Sequence, residues 1–171
     1  MPSPRDGSHQ ELVRGVIVNM PPPKGIHGIV CSKIDRLIGN HSDANRLGHV
    51  AFNDIGVIID RNPDTVRGPD VAFWSYARQP KVPEGYFEIA RDLVVEVVSP
   101  SNTQKKIYQK NKEYFFNGTK RVWVVYPEDR MVAIFRSPTE TTFLEEEDTL
   151  DGEDALPGFR CKVADLFPPA E

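Results

Sequence analysis

Apolar and polar positions switch period several times along the chain. In DLVVEVVS (92–99) the side chains of a strand would alternate, with Leu93, Val95 and Val97 on one face and Val94, Glu96 and Val98 on the other. Shorter runs predict strands at GHVAF (48–52), IGVIID (55–60), VAFW (71–74), TKRVWVVYP (119–127) and MVAIFRS (131–137), the last two joined by the turn EDR. ELVRGVIVNM (11–20) predicts a strand or hairpin bent at Gly15 and broken by PPPKG (21–25). Helical spacing of Ile26, Ile29, Val30, Ile34, Leu37 and Ile38 predicts a first helix, with Asn40 and Asn45 towards its end. A second helix is predicted over KKIYQKNKEYFFNG (105–118), entered through SPSNTQ and closed by Asn117-Gly118. NPDTVRGPD (62–70) reads as a turn-rich loop, and ARQPKVPEGYFEIA (77–90) as a loop with a short helix. After an acidic turn come an edge strand and then PGFRCKVADLF (157–167), a closing strand with a short helix.

This order predicts an α/β or α+β fold, a sheet carrying a helix on each face. The 171 residues, with no internal repeat and no linker, are expected to form a single domain over 1–171. No apolar run is long enough for a membrane span, and MPSPRDGSHQ lacks the apolar segment of a secretory leader. Cys31 and Cys161 are far apart and outside any CxxC spacing, so a reducing cytoplasmic setting is expected, without a disulfide framework or a structural zinc site.

The net charge of −4 argues at first against a nucleic-acid partner, but the charge is uneven. Eight acidic residues and no basic one lie between Glu140 and Asp154, which leaves 21 basic against 17 acidic residues elsewhere. Lys105, Lys106, Lys110 and Lys112 follow closely after the 92–99 strand, so a local positive field is expected beside Glu96.

Glu96 is the anomaly in that strand. An ionised carboxylate among valines is costly unless it is paired, protonated or bound to a metal. Asp70, at the start of VAFW, would meet it if the two strands are neighbours. Two carboxylates at one site repel unless a divalent cation lies between them, and Mg2+ is held by one or two carboxylates with waters and a substrate phosphate. On the following helix Lys110 is the lysine best aimed inward, while Lys105, Lys106 and Lys112 form an outer rim. Each residue has a plainer reading: a buried structural acid for Glu96, a turn residue after Gly-Pro for Asp70 and an ordinary helix lysine for Lys110. Their order along the chain tips the balance towards a site. No glycine-rich phosphate loop, GxSxG or Cys/His nucleophile pattern is present, and His9, His41 and His49 have no metal-ligand spacing.

GPDVAF, LVVEVVSPS, a lysine fourteen residues after the glutamate, then Y-x3-G and VWVV, together with ELVRGVIVNMPPP and LDGEDALPGF near the ends, resemble the Uma-type restriction-endonuclease family of the PD-(D/E)XK nuclease superfamily. The resemblance implies a restriction-endonuclease-like fold, a mixed central sheet flanked by helices, and a Mg2+-dependent phosphodiester hydrolase in which Mn2+ would substitute. It implies Asp70, Glu96 and the main-chain carbonyl of Val97 as metal ligands, and Asp70, Glu96 and Lys110 as the catalytic set. His27 and Glu11 are secondary candidates that would stand behind the ligands. In the common superfamily pattern the lysine lies two residues after the acid, where this chain has Val98; Lys110 matches the alternative helical position. Two further departures are Lys106 and Tyr126, where the family often carries acids.

The leading expectation is a metal-dependent endonuclease acting on DNA, with a homodimer suited to double-strand cutting. The alternative is a non-catalytic protein that keeps the fold as a scaffold for nucleic acid or protein. A hydrolase of smaller phosphoesters is a third reading.

Overall fold

The protein is described by a computed structural model over residues 9–53, 55–100 and 102–169. The leader-free reading of the first residues, at 1–8, and Ser101 of the second helix start lie outside the described residues. The elements in chain order are β1 (His9–Val13), β2 (Val16–Met20), α1 (Gly25–Asn45), β3 (Gly48–Phe52), β4 (Val57–Asp60), β5 (Thr65–Arg67), β6 (Val71–Ser75), β7 (Leu93–Val97), α2 (Gln104–Phe116), β8 (Arg121–Tyr126), β9 (Met131–Phe135), β10 (Thr141–Leu144), β11 (Thr149–Asp151) and β12 (Arg160–Lys162). A single 3-10 turn follows at Val163–Leu166.

The main sheet has the order β10-β9-β8-β7-β6-β3 and is mixed, with β7 and β8 parallel across the α2 crossover and its other pairs antiparallel. Its two faces follow the alternation read from the sequence. Leu93, Val95 and Val97 join Val71, Phe73, Trp123 and Val125 against Val30, Ile34 and Ile38 of α1. Val94 faces the other way, with Ala72, Trp74, Val122 and Val124, beneath Tyr114 and Ile107 of α2. Because both faces are covered, the central strands are apolar on both sides.

A second sheet, β2-β1-β5-β4, stands at the end of the first. Arg14 and Gly15 both have positive φ, 50° and 78°, and make the two-residue connection of the β1–β2 hairpin. The 62–70 stretch is not a plain loop: Thr65–Arg67 forms β5, drawn into extension by pairing with β4 and β1 on its two sides. The short helix expected within 77–90 is also absent from the structure. Pro80 and Pro83 interrupt that stretch, and Phe87 instead bridges to Val57 and stacks on Trp74 with ring centroids 4.0 Å apart.

Candidate active site

The corner between the two sheets places the acids. Arg67 ends β5 in the small sheet, Gly68-Pro69 turns the chain, and Asp70 leads into β6 of the main sheet. β6 and β7 pair with Val71 opposite Val95, so one further step of the same register sets Asp70 opposite Glu96. Asp70 precedes the paired residues of β6, and its carboxylate contacts the β7 backbone and α1, whereas Glu96 is held from α2. The Val97 N–H donates to Asp70 Oδ2 at 2.7 Å, which fixes that carboxylate against the β7 backbone. Its other oxygen, Oδ1, lies 3.3 Å from His27 Nε2 in the first turn of α1.

Glu96 is gripped from α2. Lys110 Nζ donates to Glu96 Oε2 at 2.9 Å, and the Tyr114 hydroxyl donates to Oε1 at 2.6 Å. Lys110 and Tyr114 are four residues apart, so they lie on one helical face and reach the same carboxylate together. Thr103 caps this helix by accepting from the Lys106 N–H.

Glu11 closes the cluster from β1. The β1–β5 pairing puts Leu12 opposite Val66, and continuing it sets Glu11 beside Arg67. Arg67 Nη1 donates to Glu11 Oε2 at 2.7 Å, the Gly68 N–H donates to Oε1 at 3.1 Å, and Lys110 Nζ stands 3.1 Å from Oε1. The other edge of the Arg67 guanidinium meets Glu113 of α2 at 2.7 Å. Two runs of contacts, His27–Asp70–Val97 and Glu96–Lys110–Glu11–Arg67–Glu113, therefore meet only through the chain, where Val97 follows Glu96 in β7.

This environment separates the ionisation of the acids. Burial raises the Glu96 carboxyl to about 7, against the attraction of Lys110, and the negative charge of Asp70 adds to the rise. Burial also acts upward on Glu11, but Lys110, Arg67 and the Gly68 N–H together hold it below its ordinary range. Burial disfavours the charged Lys110, yet Glu96, Tyr114 and Glu11 outweigh that and keep the ammonium protonated. Burial and the Glu96 charge push the Tyr114 phenol up, so it remains a donor.

Among the described residues around this corner, the acids Asp70, Glu96, Glu11 and Glu113 are in excess over the cations Lys110 and Arg67, with His27 beside Asp70. A hard divalent cation matches that excess, and the oxygen donors Asp70, Glu96 and the Val97 carbonyl match its chemistry. A cavity of about 490 Å3 lies between the β1–β2 hairpin and α2, with Glu96, Lys110, Glu11 and Arg67 in its wall. The exposed Lys105 and Lys106 border it as well, so its solvent side is basic while its floor is acidic. Asn111 lines the same cavity, almost fully buried, and neither end of its carboxamide has a hydrogen-bond partner among the described residues.

The structure thus brings together Asp70, Glu96, Lys110, Val97, His27 and Glu11, and adds Tyr114 and Arg67. Tyr114 reads as a core aromatic in the sequence; its position one turn after Lys110 was the available signal. Arg67 had no local signal, because its role depends on pairing between β1 and β5. Of the two departures, Lys106 lies on the exposed side of the cavity, and Tyr126 ends β8 in a hydrogen bond with Gln104.

Comparison with known proteins bears on the family and the fold. The family model Uma2, described as "Putative restriction endonuclease", matches residues 1–164. A solved structure from Anabaena variabilis, described as "a putative nuclease belonging to DUF820", superposes with a TM-score of 0.82 at 23% identity, covering 98% of this chain and 93% of that one. That likeness shows a shared fold. No curated protein matches the chain. With the match extending over nearly its whole length, the chain belongs to the Uma2 restriction-endonuclease family.

Proposed function

On the premise of that family membership, we propose that the chain is a Mg2+-dependent endonuclease that hydrolyses phosphodiester bonds in DNA, with Mn2+ able to replace Mg2+. Asp70, Glu96 and the Val97 carbonyl would hold the ion, and Asp70, Glu96 and Lys110 would form the catalytic set. The observation that carries this reading is the part-buried ammonium of Lys110, 2.9 Å from Glu96 and 3.1 Å from Glu11, in the wall of a cavity bordered by exposed lysines. When bound, the cation would polarise the scissile phosphate and lower the pKa of a coordinated water.

The residues of the chain do the rest. Lys105 and Lys106 attract the phosphate backbone, a sequence-independent term that falls with salt. Lys110 places a positive charge where phosphorane charge develops. Tyr114 holds Glu96 in one orientation, and the Val97 N–H does the same for Asp70. Glu11 and Arg67 fix Lys110 from behind. Among the described residues, no helix is long and apolar enough to cross a membrane. Cutting both strands would call for two such sites, and the exposed Val16, Ile17 and Val18 on the edge strand β2 support a homodimer. Cys31 and Cys161 form no disulfide, which fits the cytoplasm.

The test is incubation of purified protein with supercoiled and linear DNA in Mg2+ or Mn2+, beside Asp70→Asn, Glu96→Gln and Lys110→Met. Metal-dependent cutting by the wild type alone supports the proposal; equal background in all four overturns it.

One observation favours a second reading, a scaffold that binds without cutting. Both oxygens of Glu96 are already engaged by Lys110 and Tyr114, as a purely structural acid would be. Calorimetric titration with Mn2+ separates the two, since a scaffold gives no heat that depends on Asp70 and Glu96.

A further inference from the structure

Asp70 has a second set of neighbours on the α1 side of the sheet. His27 and Cys31 are four residues apart at the start of α1, so their side chains stand one above the other on the same helical face. Cys31 Sγ is 3.5 Å from His27 Nδ1, and His27 Nε2 is 3.3 Å from Asp70 Oδ1. Each residue offers a donor atom such that all three lie within 4.8 Å of one another.

We infer that His27, Cys31 and Asp70 form a binding site for a thiophilic divalent cation of the zinc class. The inference goes beyond the endonuclease reading and shares Asp70 with it, so Cys31 and His27, which that reading does not use as ligands, carry the test. In four-coordinate zinc, with bonds of about 2.0 Å to nitrogen or oxygen and about 2.3 Å to sulfur, neighbouring donors lie roughly 3.3–3.8 Å apart. The Cys31–His27 contact has that spacing, and with one donor atom from each residue the three lie within 4.8 Å of one another. The two ring nitrogens of His27 face different partners, so a turn of the imidazole presents one nitrogen to an ion seated between sulfur and carboxylate.

The surroundings prepare this geometry. The Val97 N–H occupies Asp70 Oδ2 and leaves Oδ1 directed at His27. A ligand held by such a partner is fixed before the ion arrives. The His27 and Asp70 side chains are only 13% and 12% exposed, so water competes weakly for them. Imidazole and thiolate select zinc over magnesium, which prefers oxygen. On binding, the Cys31 thiol releases its proton to solvent as the metal–sulfur bond forms. Thiolate and carboxylate then balance the dipositive ion, and water completes the fourth position. This is an open three-ligand site, unlike the closed four-ligand sites that hold small domains together.

Co2+ is the probe, because a thiolate ligand gives it a near-ultraviolet charge-transfer band. The full chain titrated with Co2+ should develop that band, and the band should saturate and be lost to added Zn2+. Cys161→Ser and Glu96→Gln should retain the band. Cys31→Ser should abolish it, and His27→Gln should weaken Co2+ binding at least about tenfold. Absence of the band in the wild type overturns the site, as does its survival in Cys31→Ser. If Cys31→Ser loses its native circular dichroism, His27→Gln decides instead, and undiminished Co2+ affinity there overturns the site. Since no DNA is present, the result is independent of whether the protein cuts.

Discussion

Lys110 and Glu96 form a part-buried ion pair, Nζ to Oε2 at 2.9 Å, that ties α2 to β7. The same ammonium is 3.1 Å from Glu11 on β1, so one cation joins a helix and two sheets. Removing it leaves two carboxylates without their common partner. Lys110→Met should abolish cutting and cost about 3 kcal/mol in urea unfolding at pH 8. At pH 5, where Glu96 is protonated, the cost should be smaller. An unchanged unfolding midpoint at pH 8 would rule out a part-buried charge pair.

The raised Glu96 carboxyl sets a pH dependence. Its pKa is about 7 in the folded chain and near the ordinary 4.5 when unfolded, so between these values the folded state binds more protons. Its contribution to stability is full below about pH 4.5, declines from there to about pH 7 and is gone above. In metal-free protein, Glu96→Gln should therefore gain melting temperature relative to the wild type as pH rises from 5 to 8. A constant difference across that range contradicts the assignment.

Tyr114 donates to the charged form of Glu96 at 2.6 Å. Tyr114→Phe should move the Glu96 titration upward by about one to two units, since a hydrogen bond to a charged group is worth about 1.5–3 kcal/mol and one unit corresponds to about 1.36 kcal/mol. The shift is readable as displacement of the acid limb of the pH–cleavage profile, with the fold retained.

Arg67 holds Glu11 and Glu113 on two edges of one guanidinium, and it is buried. Arg67→Ala should destabilise the chain by about 3 kcal/mol or more. Arg67→Lys should recover little of this, because an ammonium cannot present two edges. Full recovery by lysine would show that charge alone matters there.

Lys105 and Lys106 are exposed on the border of the cavity. Replacing both with glutamine should weaken DNA binding alike for unrelated sequences and reduce the slope of log K against log salt by about one to two. Filter binding over a salt series measures this. Identical slopes would place the DNA elsewhere.

Asn111 is 1% exposed, and its carboxamide has no partner among the described residues. Asn111→Leu removes the unsatisfied polar atoms at similar volume and should stabilise the protein by about 1 kcal/mol in thermal unfolding. Destabilisation would show that a bound water or substrate group completes the amide.

Much of the architecture was legible along the chain because periodicity is local. The alternation in 92–99 separated the two faces of β7, and the helical spacings located α1 and α2 to within a few residues. Asp70, Glu96 and Lys110 stood out because a charge within a valine run demands a partner, and their order suggested one. Where pairing decides, the sequence was misleading. Thr65–Arg67 carries turn residues on both sides, yet β1 and β4 capture it as a strand. The stretch 77–90 is held by Phe87 on Trp74 instead of by a helix of its own. Composition, periodicity and the unexplained acid were thus properties of the sequence alone. The joining of Tyr114 to Glu96, of His27 to Asp70 and of Arg67 to Glu11 was decided by the tertiary structure, since contacts across tens of residues depend on strand register and helix docking that no local pattern encodes.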